Sequence, residues 1–292
     1  MSTFLQHIFN GLVIGGSYAL IGIGLTLIFG IMNVVNFAHG EFYMLGAYLF
    51  FTALTVLKFP LPIAMMLAFL TVLLFGWAFE RFLIRPLRSE PIESPMLMTI
   101  GLSILLQNLA LLVWGGEAQT VPKLMNTTSV NIGPVVVSSD RLVILLVAIL
   151  IIAGTHLFIS RTKIGRGIRA TFQDREAAEI VGVNIERIYA LTFGFGAALA
   201  GAGGFLLAPI FLITPTMGII AVGKSFAVVI IGGLGNINGA IVGGLLLGVV
   251  ESLGAGYISS GYKDAFSFLV LILVLLLKPD GLLTKKSGGV RA

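Results

Sequence analysis

The chain has 292 residues, 57% of them hydrophobic and 11% charged, with a mean hydropathy of +1.05. A soluble domain of this length needs a charged exterior that this composition does not supply, so soluble classes are excluded and lipid is the solvent that fits. The formal charge of +5 is no nucleic-acid footprint, since Lys and Arg fall between apolar runs, and with no cysteine and with His7, His39 and His156 far apart, neither a disulfide nor a metal site is expected.

Nine apolar segments follow in chain order: residues 8–31, 42–57, 61–79, 95–114, 142–159, 188–213, 222–234, 237–257 and 265–277. They predict an all-α polytopic membrane protein of about nine (eight to nine) transmembrane helices, forming one domain over 1–292. The first segment lacks a basic stretch before it and runs too far for a secretory signal, so it is expected to stay in the mature chain. Several segments fall short of the ~20 residues a perpendicular span needs. Broken or re-entrant helices are therefore expected around 32–39 and 232–238, where glycine and polar residues interrupt the apolar runs.

The first interruption gathers Asn33, Asn36, His39 and Glu41. Such groups need partners or water in lipid, so the stretch is either a broken helix bordering a substrate path or an interhelical turn with Glu41 placed for the helix dipole. The second carries Asn236. Gly235, Gly239 and Gly243 recur at i and i+4, as do Gly244 and Gly248, Ala197 and Gly201, and Ala200 and Gly204. Small residues at this spacing let helix backbones approach closely. Glu251 is the acid well inside the eighth segment. It is either functional or a packed, hydrogen-bonded residue; a proton-coupling role would want further deep acids, and none is expected. A five-residue echo, Gly15 to Ala19 against Gly223 to Ala227, is either a remnant of a repeat or chance.

Basic residues set the orientation. Thirteen of the 18 fall after the third and fifth segments and in the tail, including Arg81, Arg85, Arg88, Arg161 to Arg187, Lys285, Lys286 and Arg291. The remaining Lys58, Lys123, Arg141, Lys224 and Lys263 fall opposite in a nine-crossing chain, which puts the N-terminus outside and the C-terminus inside. The inner loop 160–187 reads as two short helical pieces: Asp174 caps a helix with Ala177, Ala178 and Val181 on one face and Gly182 at its end, and Asn184 caps the next span. With Arg169 and Glu176 it is expected to dock a partner, the alternative being a solvated loop.

Asn10-Gly11, Gly15 to Leu20, the run Val35-Asn36-Phe37-Ala38-His39-Gly40-Glu41-Phe42-Tyr43-Met44, Gly165 to Ala170, Ala177 to Val183 and Ile231 to Asn236 resemble the LivH-type permease of branched-chain amino acid ABC importers, in order along the whole chain. The resemblance implies a bacterial inner-membrane permease subunit for apolar amino acids. It also implies a second permease of LivM type, two cytoplasmic ATPase subunits and a periplasmic or extracellular amino-acid-binding protein. Residues 164–182 match the loop that docks on the ATPase. The chain itself is expected to carry no phosphate-binding loop and no cofactor, ATP and Mg being used by the partners. The rivals are a urea or short-amide permease, an ion-coupled secondary transporter and a structural scaffold.

Overall fold

The computed structural model describes residues 2–122, 124, 129–133 and 135–283. Lys123 and the basic residues of the tail beyond 283 lie outside them. Nine apolar helices occur among the described residues, matching the nine expected segments. They are α1 (Ser2–Met32), α2 (His39–Phe51), α3 (Leu61–Phe79), α4 (Glu93–Trp114) and α5 (Ser139–Arg161), then α8 (Ile185–Leu207), α9 (Met217–Gly232), α10 (Ile237–Tyr257) and α11 (Lys263–Leu277). Two short polar helices, α6 (Lys163–Gln173) and α7 (Arg175–Ile180), stand between α5 and α8. A small hairpin, β1 (Val130–Ile132) with β2 (Val135–Val137), precedes α5 at the end of the bundle that carries the N-terminus. Seven of the apolar helices, with the short turns that prolong α3 and α11, are long enough to cross a membrane; α2 and α9 are the short ones.

Burial separates an inner pair from an outer ring. In their most apolar stretches α1 and α8 are 83% and 89% buried, whereas α4 and α5 are each 22% buried and α11 6%. Apolar side chains on the outer helices face where lipid would lie, so composition alone does not tell inside from outside in this molecule. The inner helices are held by backbone proximity. Gly11 and Gly15 of α1 meet Gly248 and Leu245 of α10, Gly244 packs on Ala19, and Gly201 and Gly204 of α8 meet Gly46 and Tyr43 of α2. A Cβ on Gly15 would lie 2.8 Å from the Cα of Leu245, and one on Gly243 2.6 Å from the carbonyl oxygen of Val228. Gly239 meets Gly232 of α9 in the same way. Gly235 is different: it lies before α10 in a turn at φ +80, a conformation that favours glycine, so it shares no helix face with Gly239.

Both expected interruptions are present. After Met32 the chain turns through Asn33, at φ 51, and runs in non-helical form to Ala38. Asn is among the few residues that tolerate this left-handed geometry. Nε2 of His39 then donates to the carbonyl of Ile21 at 3.0 Å. Ile21 lies eleven residues before the end of α1, about 16 Å along its axis. Six non-helical residues, the last of them in a turn where His39 N donates to the carbonyl of Asn36, return the chain to that level. So α2 starts deep in the bundle, beside the middle of α1. Thr99 of α4 ties the return path, accepting from the backbone N–H of Phe37 at 3.2 Å, and the side chain of Asn36 accepts from Ala38 N at 3.1 Å. Non-helical backbone is tolerated among apolar helices only when its polar groups are met in this way. The second break, at residues 233–236, joins α9 to α10, with Asn236 capping α10 through Gly239 N at 3.0 Å.

Candidate functional site

Lys224 sits on the inner face of α9, 5% exposed. Its amine donates to Tyr18 Oη at 2.7 Å and to both oxygens of Glu251 at 2.8 and 3.0 Å. Tyr18 donates in turn to Glu251 at 3.2 Å, and Ser267 of α11 donates to the other carboxylate oxygen at 3.2 Å. Oδ1 of Asp264, in the first turn of α11, completes the cluster at 2.7 Å from the amine. The amine also lies 4.8 Å from the centroid of the Tyr18 ring. Four helices that are far apart in sequence, α1, α9, α10 and α11, are tied at one buried point. A buried charge persists only when it is paired and its donors and acceptors are met, and Lys224 and Glu251 meet that condition.

Beside this centre lies a cavity of about 360 Å³, within the range of small-ligand sites. Ile21, Phe211, Met217, Ile220 and Ala221 give it apolar walls, while Tyr18, Tyr43, Thr214, Thr216, Lys224 and Asp264 supply polar groups. Lys263 also lines it, its ammonium 4.4 Å from the centroid of the Phe211 ring.

The residues anticipated from sequence distribute unevenly around this site. Glu251 is at the charged centre, held by Lys224. Glu41 is buried but lies apart, accepting from Ser103 at 2.9 Å and Gln107 at 2.8 Å. Its second oxygen faces Gly218 in the first turn of α9, where an added Cβ would stand 2.5 Å away. His39 and Asn36 hold the break itself, and neither lines the cavity. Asn33 lies near the basic end with Arg88, Glu90 and Arg175, and Asn236 borders a separate cavity of about 390 Å³ with Thr26, His156 and Arg169.

Three readings are corrected. Lys224 is counted with the outer basic residues at the start of the seventh segment, but α9 begins at Met217 and takes it into the bundle, where it neutralises Glu251. A lysine inside an otherwise apolar run was the signal that could have found it. Deep acids beyond Glu251 do exist, since Glu41 and Glu80 are buried, the latter paired with Arg88. The string G-x-x-x-x-G-K-S, expected to be absent, occurs at residues 218–225. It is continuous helix within α9 and its lysine is already ion-paired, whereas phosphate binding needs a loop between a strand and a helix.

At the basic end, Thr162 caps α6 through Gly165 N at 2.9 Å, Asp174 caps α7 through Ala177 N at 3.0 Å, and Asn184 caps α8 through Arg187 N at 2.9 Å. Gly182 ends the motif at φ +88. Glu176 is exposed, and Arg169 donates to the carbonyl of Ile159, tying α6 to α5. Ala178 does not face outward with Ala177 and Val181: it is 3% exposed and packed into the protein's core. The outward apolar pair is Ile180 and Val181, 86% and 77% exposed.

The family model described as branched-chain amino acid transport system, permease component, matches residues 7–275. The branched-chain amino acid permease BraD of Pseudomonas aeruginosa is 41% identical over 96% of this chain and 95% of its own length. LivH of Escherichia coli K12 is 38% identical over the same shares, and LivM of that organism 26% identical over 91% of this chain and 67% of its own length. No solved structure matches the chain significantly.

Proposed function

Since the chain belongs to the family of branched-chain amino acid transport permeases, we propose that the cavity beside Lys224 serves an amino acid crossing the membrane and that its polar helices receive the driving force. The protein is a multi-pass membrane permease subunit for branched-chain amino acids. The observation that carries this is the match over nearly the whole chain to relatives with that function. A single permease of this kind works against a second one, and the likeness to LivM supports a partner of that type. Hydrolysis of ATP with Mg falls to two cytoplasmic ATPases, and delivery of the amino acid to a binding protein outside. The Lys224–Glu251 pair offers a proton-driven mechanism no free carboxylate, which leaves it Glu41, bound by Ser103 and Gln107.

Leucine uptake tests the reading. Vesicles holding this chain, a second permease, the ATPases and a binding protein should concentrate leucine with ATP, and vesicles holding this chain alone should not. Uptake by the chain alone on a proton gradient would overturn the importer.

The concentration of Lys and Arg at one end supports a cytoplasmic position for that end in a bacterial inner membrane, with the N-terminus outside. There α7, capped at its start and closed by Gly182, offers Ile180 and Val181 to an ATPase groove. Ile180→Glu with Val181→Glu should leave insertion intact and remove most of the ATP hydrolysis stimulated by loaded binding protein. A cysteine at Glu176 should react with an impermeant maleimide only from the cytoplasmic side, and more slowly with the ATPases bound. Full stimulated hydrolysis in the double variant, or labelling from outside, would refute the docking assignment.

A further inference from the structure

We propose that the cavity beside Lys224 seats the amino acid as a zwitterion, its carboxylate taking the place of Asp264 on the lysine and its ammonium being received by the freed Asp264. The inference rests on the permease reading and names the site of recognition within it. Its first ground is charge. Lys224, paired with Glu251 just behind the cavity, lines it with Lys263 and Asp264, so the formal charges of the lining and of Glu251 cancel. A lone carboxylate or a lone amine would upset that balance, and a zwitterion preserves it.

The second ground is the asymmetry between the two acids that share Lys224. Glu251 is 2% exposed, takes two hydrogen bonds from the amine and is further bound by Tyr18 and Ser267. Asp264 has a side chain 36% exposed and meets the amine at 2.7 Å as an ion pair outside hydrogen-bond geometry. It belongs to the first turn of α11, where the helix dipole steadies a carboxylate even when it releases the lysine. Glu251 is thus the fixed counter-ion and Asp264 the exchangeable one.

The third ground is shape. In an α-amino acid the two charged groups share one carbon, so they need an acid and a base that are close together, which Lys224 and Asp264 are. The Tyr18 and Tyr43 side chains line the same cavity, and Ile21, Phe211, Met217 and Ile220 offer the substrate side chain an apolar wall. The match is to a compact aliphatic side chain. A basic side chain there would meet the ammonium of Lys263 beside Phe211.

Protection of a single cysteine tests this directly, since the chain has none of its own. Leu212→Cys, on the cavity lining and 58% exposed, is introduced into the assembled importer and its rate of reaction with N-ethylmaleimide is followed. Added leucine should slow the reaction, while leucinol, which lacks the carboxylate, and 4-methylpentanoate, which lacks the amine, should need about tenfold or higher concentrations. The neutral pair Lys224→Met with Glu251→Gln should abolish protection while the cysteine still labels, and Asp264→Asn should weaken it. The same preparation is assayed for ATP-driven leucine uptake. If uptake occurs but leucine gives no protection, or leucinol and 4-methylpentanoate protect as well as leucine, the zwitterion site is refuted and the permease reading stands. If uptake itself fails with every partner present, the permease reading falls and takes the inference with it.

Discussion

Lys224→Met alone is expected to destroy most of the folded protein. The substitution leaves Glu251 ionised at 2% exposure, with only Tyr18 and Ser267 to donate to it. Removing one partner of a buried pair costs roughly 3–5 kcal/mol, a large share of what holds a domain together. Because the pair ties α9 to α10, and Asp264 ties it to α11, the loss falls on the joint among three helices. Adding Glu251→Gln removes the stranded charge, and replacing both members of a buried pair is often nearly neutral. Thermal unfolding in detergent should therefore show the single variant far below the parent and the double variant restored toward it. A stable single variant would refute the account in which Lys224 offsets a buried Glu251 carboxylate.

Gly248→Leu is expected to have an effect of similar size for a different reason. Next to Gly248 are the Cα and N of Gly15 and the carbonyl of Gly11, all backbone atoms, so no rotamer change can make room. The two helices must part along a line that also includes Gly244 against Ala19. Inserting side-chain atoms into a tight core costs about 1–3 kcal/mol even where neighbours can adjust, and these cannot. Gly101→Leu on α4 and Gly154→Leu on α5 serve as controls, since an added Cβ there has nothing within 4 Å. Folded yield should collapse for Gly248→Leu and stay near the parent for the controls. Equal yields across the three would mean that α1 and α10 do not touch as described.

What could be read from sequence divides by the range of the interaction. Caps at Asp174 and Asn184 were legible because each involves a side chain and a backbone N–H three residues on. The break before His39 was legible because polar residues between apolar runs are costly in lipid. Lys224 was not, because the group that makes it tolerable inside a helix is Glu251, 27 residues away, together with Tyr18, 206 away. The start of α9 was equally hidden, since Phe211 to Ile213 in the link and Ile219 to Val222 in the helix are both apolar and differ only in what they pack against. Ala178 was placed outward because a six-residue helix makes too few turns for periodicity to fix which face is covered. The cavity joins residues from α1, α2, α9, α11 and the link before α9, and no local pattern announces such a meeting.

The non-helical return at residues 33–38 has a bearing on how this chain can vary. It leaves α1 through the left-handed Asn33 and enters α2 through a turn in which His39 N donates to the carbonyl of Asn36. Dropping or adding one residue would break that turn and displace the whole of α2 along its neighbours. Gly46 would leave Gly201, Tyr43 would leave Gly204, and His39 would miss the carbonyl of Ile21. Connections between helices usually accept changes of length readily. This one is a strut of set length, closed to insertions and deletions and constrained at Asn33 and Asn36.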